Sequence, residues 1–247
     1  MTSPRSVIGR ILPPSAVWEE AFDDSAASEL FPEEEAVTRG AAPQRVSEFR
    51  TVRRCSRQAL EKLGVPPAAI LPGPRREPRW PSGIVGSLTH CEGYRAAAVA
   101  RCHDFAALGI DAEPHLPLPA GLLPKVARPE ELVRLAQLTA RYPTVHWDRL
   151  TFSAKESVYK AWSPLAQSWL GFHDAALIIH PLRRTFHARL YAAGCVLDGR
   201  PLMAMTGRWT VEGSLIGTSV AVDAPVTALP HGAATTAAPP HSAICRS

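Results

Sequence analysis

Two carboxylates at the end of one apolar run, and a third further along the chain, could hold a divalent cation. Asp111 and Glu113 end the run "FAALGIDAE", which has the character of a strand. Alternate residues of a strand face the same side, so these carboxylates repel each other unless a cation or a basic residue lies between them. Together with Glu156 they form an oxygen-only set, which suits Mg²⁺ and leaves positions for substrate phosphates.

The segment "FSAKESVYKAW", residues 152–162, is predicted to be the helix that carries Glu156. Glu156 and Lys160 are four residues apart and share one helix face. Alone, this pair could be a solvated salt bridge worth about 0.3–0.5 kcal/mol. Ser157 and Lys160 also match the S-x-x-K motif of serine acyl-enzymes. The S-D-N and K-T-G partners of that motif are absent from the sequence, so we discount the match.

Basic side chains elsewhere in the chain could bind phosphate groups. They occur on one face of a predicted helix, in the proline-rich loop "LPGPRREPRWPSG", after the next apolar run and beside Glu156. The residues are Arg50, Arg53, Arg54, Arg57, Arg75, Arg76, Arg79, His90 and Lys155. The helix face could equally be a solvated surface. With three carboxylates and Lys160, however, the set suits the handling of a polyphosphate ester.

The elements that must position these residues alternate between helices and strands. Helical periodicity is predicted for residues 44–64, 128–142 and 147–162. Apolar runs separated by short polar links predict strands that include residues 84–91 and 94–102. The sequence therefore predicts an α+β fold.

Breaks in the pattern predict how the chain is divided. The segment "PHLPLPAG" near 114–120 interrupts the elements, which predicts two α+β lobes, residues 1–115 and 116–224. Residues 225–247 are rich in Ala, Pro and Thr and lack periodicity, so we expect a disordered tail.

Composition excludes several classes of protein. The 247 residues carry a net charge of +4, with no apolar run long enough to span a membrane and a poor secretory signal at the start. The five cysteines show no C-x-x-C pairing, and H-E-x-x-H is absent, which argues against a zinc site and favours reduced thiols. Aromatic residues are few, so nucleic acid is not an expected partner. We expect a cytoplasmic protein.

Three motifs in order resemble a known family. "GSLTH" at 86–90, "GIDAE" at 109–113 and "FSAKESVYKAW" at 152–162 are similar to the motifs of the 4′-phosphopantetheinyl transferases. The resemblance is to the monomeric, surfactin-synthetase-activating type and its actinobacterial branch, and it covers roughly residues 12–222. One departure is Phe152, where many members have tryptophan.

The resemblance implies a reaction and a fold. Members transfer the 4′-phosphopantetheine arm of coenzyme A to a serine of apo acyl or peptidyl carrier proteins, and 3′,5′-ADP leaves. The family fold is a pseudo-dimer of two similar α+β lobes with coenzyme A bound between them. We therefore expect a monomeric enzyme that uses Mg²⁺, with Mn²⁺ as an alternative metal. Fatty-acid, polyketide and nonribosomal-peptide carriers all remain open as substrates.

The resemblance also implies roles for individual residues. Asp111, Glu113 and Glu156 match the metal ligands, and Glu156 is also a candidate general base, directly or through a metal-bound water. The expected contacts to coenzyme A are Arg45, Arg53, Arg75, Arg76, Thr89, His90, Lys155 and Lys160. His90 and Lys160 are also expected to be catalytic, with Glu156. Arg50, Arg54 and Arg57 are interpreted as a solvated face.

Two other classes of protein are alternatives to an enzyme. A non-catalytic binder of coenzyme A or carrier protein would not need all three carboxylates and both lysines. A basic nucleic-acid-binding protein would have no use for Mg²⁺. The stretch "PLPAGLLPKVA", 117–127, is either part of a docking face for the acidic carrier or a plain lobe linker.

Overall fold

The computed structural model describes residues 6–26, 28–192 and 194–225. Helices pack on antiparallel sheets, which confirms the predicted α+β fold class. Apart from residue 225, the predicted tail lies outside the described residues. Within the described ranges, no helix is both long enough and apolar enough to span a membrane.

The first half of the chain forms a three-stranded sheet and two helices. The elements are β1 (Val17–Ala21), α1 (Pro32–Thr38), α2 (Pro43–Lys62), β2 (Ile84–Cys91) and β3 (Tyr94–Arg101). The strands pair in the order β1-β3-β2, and α2 packs on β1 and β3. Both helices begin at a proline, whose fixed φ suits the first helical position. The long helix α2 therefore lies over the sheet that contains β2.

The second half of the chain forms a five-stranded sheet that packs against a long helix. Its elements are β4 (Phe105–Pro114), α3 (Leu123–Val126), α4 (Pro129–Arg141), α5 (Trp147–Ala166), β5 (Ala175–His180), β6 (Thr185–Leu190), β7 (Val196–Leu197), β8 (Arg200–Pro201), β9 (Ala204–Glu212) and β10 (Leu215–Asp223). The order in the larger sheet is β4-β10-β9-β6-β5, and β7 pairs with β8. The helix α5 packs on β4 and β10.

The strand β4 belongs to the second sheet, although the sequence led us to expect it in the first lobe. Its backbone pairs with β10, with Asp111 opposite Thr218. Toward β2 it is joined by side chains instead. Ser87 Oγ accepts the Ile110 N–H at 3.0 Å, and Thr89 Oγ1 accepts the Ala112 N–H at 2.9 Å. These two hydroxyls link the sheets on either side of Asp111. The border near 114–120 stays a prediction.

Gly109 allows α5 to contact the backbone of β4. A Cβ atom at this position would overlap the Ser157 carbonyl oxygen and would lie 2.8 Å from the Ala161 backbone nitrogen. Both atoms belong to the backbone of α5, so they cannot rotate away as a side chain can. The glycine of "GIDAE" therefore sets the separation between the strand of Asp111 and the helix of Glu156.

Gly109→Ala is expected to lower stability by about 2–3 kcal/mol, because the added methyl must push α5 away from β4. Because the same displacement would separate Asp111 from Glu156, we expect turnover to fall as well. Thermal denaturation and kcat of the purified variant test both effects. An unchanged melting temperature would show that the helix packs less closely than described.

The arginine face of α2 is only partly solvated, and this corrects the expectation for Arg57. The buried carboxylate of Glu34 lies between two arginines, 2.9 Å from Arg57 Nη1 and 3.4 Å from Arg53 Nε. It also accepts the backbone N–H groups of Ile70 and Phe31 at 2.9 and 3.1 Å. A sequence pattern cannot show this arrangement, because Glu34 lies in a different helix from its two arginine partners.

Candidate functional site

A cleft of about 930 Å³ lies between α2, the loop before β2, and α5. Arg45, Arg53 and His90 line its first side, and Glu156 and Lys160 line the facing side on α5. The structure therefore brings the two arginines of α2 together with residues of α5 that lie more than a hundred positions later in the sequence. Its volume falls within the range of sites that hold cofactor-sized ligands.

Asp111 lies at the base of this cluster with one oxygen that lacks a partner. Its side chain is buried, and Oδ1 accepts a hydrogen bond from Lys160 Nζ at 2.7 Å. Thr89 Oγ1 is a weaker neighbour at 3.4 Å. Among the described residues, no group lies within hydrogen-bonding distance of the buried Oδ2. A buried carboxylate oxygen of this kind needs a further donor or a cation.

Glu156 lines the cleft beside Asp111. Burial raises the pKa of Glu156, and the negative charge of Asp111 raises it further, while Lys160 opposes both effects. Within the part of the chain that the structure describes, Lys160 forms its ion pair with Asp111 and not with Glu156, one helical turn earlier. The i,i+4 pair of the sequence is therefore not an ordinary surface salt bridge.

Glu113, the third expected metal ligand, is held by an arginine that the sequence interpretation missed. Its Oε2 lies 2.8 Å from Arg149 Nη1. Burial and the neighbouring Asp111 raise the pKa of Glu113, and Arg149 lowers it. Arg149 precedes Glu156 by seven residues and thus lies on the same helix face. That spacing is a signal from which its location could have been found.

The three carboxylates suit a divalent cation in type and charge, although they are not gathered into a coordination site. In the described residues, no group of three or more His, Cys, Asp or Glu side chains is close enough to hold a metal. Two observations indicate that a cation would fit here. Asp111 Oδ2 has no partner among the described residues, and burial together with the charge of Asp111 raises the pKa values of Glu113 and Glu156. A bound cation would give Asp111 Oδ2 a partner and would reduce the repulsion among the three carboxylates.

His90 and Arg45 form a neighbouring pair at the cleft. Arg45 Nη1 hydrogen-bonds with His90 Nε2 and also lies 3.3 Å from Glu48 Oε2. Burial lowers the pKa of His90, and the adjacent Arg45 lowers it further. Because an arginine can only donate, the neutral imidazole accepts at Nε2 and carries its proton at Nδ1. Both side chains are available to an anionic ligand.

The remaining expected contacts differ in their surroundings. Arg53 lies over the Phe49 ring with its guanidinium 4.1 Å from the centroid, and burial lowers its pKa to about 10. Arg76 lines the cleft, whereas Arg75 donates to the Gln167 carbonyl at the end of α5. Thr89 is buried in the link between β2 and β4, so its hydroxyl positions β4 and is not free for a ligand.

Lys155 does not face the cleft, which corrects the expectation that it would contact phosphate. Its buried ammonium group donates to the carbonyls of Val126 and Phe172, each at 2.8 Å, and to Glu131 Oε2 at 2.7 Å. Glu131 in turn accepts the Leu177 N–H at 2.7 Å. Lys155 therefore fastens α5 to the segments around it. Consecutive helical residues point in different directions, so its neighbour Glu156 can still face the cleft.

Comparison with known proteins decides the family. Residues 33–100 match the family model described as the N-terminal domain of 4′-phosphopantetheinyl transferases, and residues 107–195 match that of the 4′-phosphopantetheinyl transferase superfamily. The chain belongs to this family. As a 4′-phosphopantetheinyl transferase it is an enzyme that moves the phosphopantetheine arm of coenzyme A to carrier proteins. This confirms the predicted activity, and a non-catalytic binder is not favoured.

Curated 4′-phosphopantetheinyl transferases are similar to the chain over most of their length. Svp of Streptomyces mobaraensis is 53% identical over 222 residues, which cover 89% of this chain and 90% of Svp. PptT of Mycobacterium tuberculosis is 44% identical, covering 81% of this chain and 92% of PptT. Npt of Nocardia iowensis is 41% identical, covering 87% of this chain and 99% of Npt.

Proposed function

We propose that this 4′-phosphopantetheinyl transferase depends on Mg²⁺, or Mn²⁺ in its place, held by Asp111, Glu113 and Glu156. The observation that carries the proposal is the buried Asp111 Oδ2, which has no partner among the described residues. Beside it are Glu113 and Glu156, whose pKa values are raised by burial and then by the charge of Asp111. When bound, the cation would neutralise negative charge on the pyrophosphate of coenzyme A.

The cationic and imidazole groups of the cleft would orient the pyrophosphate. Lys160 projects from α5 toward Asp111, and Arg45 and His90 line the facing side. Lysine acts here as a point charge, whereas arginine offers a planar fork for a phosphate. These groups would hold the phosphorus that carries the pantetheine arm at a fixed place relative to Glu156.

Glu156 is the proposed general base. The serine oxygen of the carrier would bond to that phosphorus while the bond to the second phosphate breaks, so that 3′,5′-ADP leaves with the electron pair. The serine proton would pass to the Glu156 carboxylate. Glu156 lines the cleft, so its carboxylate is placed to accept this proton, directly or through a water molecule.

The acceptor is proposed to be the serine of an apo acyl or peptidyl carrier protein. A monomeric enzyme is also proposed, as the resemblance to the monomeric type implies. A cytoplasmic location is also proposed, and the free thiols of Cys55, Cys91, Cys102 and Cys195 support a reducing compartment.

One assay tests the proposed function. Apo carrier protein, coenzyme A and the enzyme are mixed with Mg²⁺, with EDTA, and with EDTA followed by excess Mg²⁺, and the carrier is analysed by intact-mass spectrometry. We expect one added phosphopantetheine arm in the first and third mixtures only. Equal modification in EDTA would contradict the metal requirement, and no modification of several carriers would contradict the choice of acceptor.

The resemblance implies that Arg53 binds the 3′-phosphate of coenzyme A. Arg53→Ala is therefore expected to weaken coenzyme A binding by about 1.5–3 kcal/mol, the usual loss for a charge-assisted contact. Binding of 3′-dephospho-coenzyme A should change little. Because the variant also removes a partner of Glu34, its melting temperature is measured first and calorimetric titrations are run well below it. Equal losses with both ligands would instead identify Arg53 as a structural residue.

A further inference from the structure

The Arg149 side chain of α5 uses all three guanidinium nitrogens to contact β4 and the turn that follows it. Nη1 lies 2.8 Å from Glu113 Oε2, Nε donates to the Leu116 carbonyl at 3.1 Å, and Nη2 donates to the Pro117 carbonyl at 2.9 Å. A lysine would not reproduce this arrangement, because its donors share one nitrogen, whereas the guanidinium distributes its donors over a rigid planar fork. The side chain is largely buried, so competition from water is limited.

The segment that anchors Arg149 is itself fastened on both sides. Asp148 Oδ2 accepts the Leu118 N–H at 2.8 Å, and His115 Nε2 accepts the His146 N–H at 3.2 Å. The backbone N–H of His115 also donates to the Ser214 carbonyl at 2.7 Å. The carbonyls of Leu116 and Pro117 therefore belong to a fixed turn. Their hydrogen bonds from Arg149 hold the guanidinium in place.

Arg149 and Lys160 lie on one face of α5, on either side of Glu156 along the helix. Lys160 holds Asp111, and Arg149 holds Glu113, two residues further along β4. Each carboxylate of β4 is thus paired with one cation of α5. The Arg149 contact uses Oε2 of Glu113, which leaves its other oxygen free to serve as a ligand.

We propose that Arg149 is a positioning residue that holds the Glu113 carboxylate toward the proposed metal site. The proposal rests on the proposed function, because it concerns one of its three ligands. Without Arg149, the partly exposed Glu113 carboxylate can rotate toward water. Loss of such an outer partner typically costs about ten- to a hundredfold in metal affinity.

Mn²⁺ binding tests this role without turnover. Mn²⁺ is titrated, with electron paramagnetic resonance detection, into full-length protein saturated with coenzyme A in the absence of carrier. Arg149→Met and Glu113→Gln should each weaken Mn²⁺ by about tenfold or more. The double variant should bind Mn²⁺ within about twofold of Glu113→Gln alone, because residues that act through one another are not additive.

Arg10→Met is the matched control, since it removes another arginine–glutamate ion pair, that of Arg10 with Glu212, and Arg10 does not line the cleft. It should leave Mn²⁺ affinity unchanged. Additive losses in the double variant, a loss of Mn²⁺ affinity in Arg10→Met, or unchanged affinity in Arg149→Met would each overturn the proposal. Unchanged affinity in Glu113→Gln would overturn it together with the ligand assignment, whereas an unaffected Arg149→Met beside a weakened Glu113→Gln would overturn the role of Arg149 alone.

Discussion

Glu156→Gln is expected to lower kcat by about a hundredfold or more, with little change in melting temperature. The amide retains the shape of the carboxylate but carries no charge and is a poor proton acceptor. Stability should hold because the burial of a charged Glu156 is already unfavourable, as its raised pKa indicates. The measurement is kcat on an apo carrier at several Mg²⁺ concentrations.

Asp111→Asn separates the two proposed roles of Glu156. It removes charge from the same cluster but leaves the proposed base in place, so we expect raised Mg²⁺ to restore a larger share of its turnover than in Glu156→Gln. Glu130→Gln, an exposed glutamate at the start of α4, is the control and should behave as the wild type. Near-wild-type turnover in Glu156→Gln would reduce Glu156 to a structural residue and contradict the proposed mechanism.

Lys155→Met is expected to destabilise the fold by about 3–5 kcal/mol, because it leaves Glu131 buried without its cation. Two carbonyl oxygens, of Val126 and Phe172, would also lose their donor. For a chain of this size the melting temperature should fall by about 10 °C. Differential scanning calorimetry of the variant measures the shift.

The exposed Lys125 provides the control for the loss of a lysine charge. Lys125→Met should leave the melting temperature unchanged. Below its melting temperature, Lys155→Met should bind coenzyme A with nearly the wild-type affinity, since its ammonium group is far from solvent and fully bonded. A large rise in KM for coenzyme A with unchanged stability would restore the earlier expectation of a phosphate contact.

The helices, the strands and the reaction could be predicted from the sequence, because all of them depend on short patterns of residues. The α+β class followed from periodicity, and the three motifs placed Asp111, Glu156 and Lys160 in one site. Lys155 and Lys160 differ only in spacing, and the helical period alone separates them: Lys160 lies one turn after Glu156, whereas Lys155 is its neighbour and points elsewhere. That distinction was available before the structure.

Other features depend on contacts between distant segments, which no local pattern encodes. Glu34 lies in α1, whereas its partners Arg53 and Arg57 lie in α2. Nothing in the sequence "FPEEEAV" distinguishes Glu34 from Glu33 or Glu35. The place of β4 in the second sheet likewise depends on its pairing with β10. In both cases the decisive partner is set by tertiary packing and not by propensity.

The pairing of β4 with the last strand has a consequence for synthesis on the ribosome. In the described part of the chain, the backbone of β4 pairs with β10, and Ser87 and Thr89 side chains link β4 to β2. About 100 residues separate β4 from β10. At a synthesis rate of about 5–20 residues per second, β10 is made roughly 5–20 s after β4. Both β4 and α5 pack on β10, so the strand of Asp111 and the helix of Glu156 gain their final support only when β10 has left the exit tunnel. We expect a chain terminated upstream of residue 215 to expose the edge of β4, which is a template for pairing with other chains.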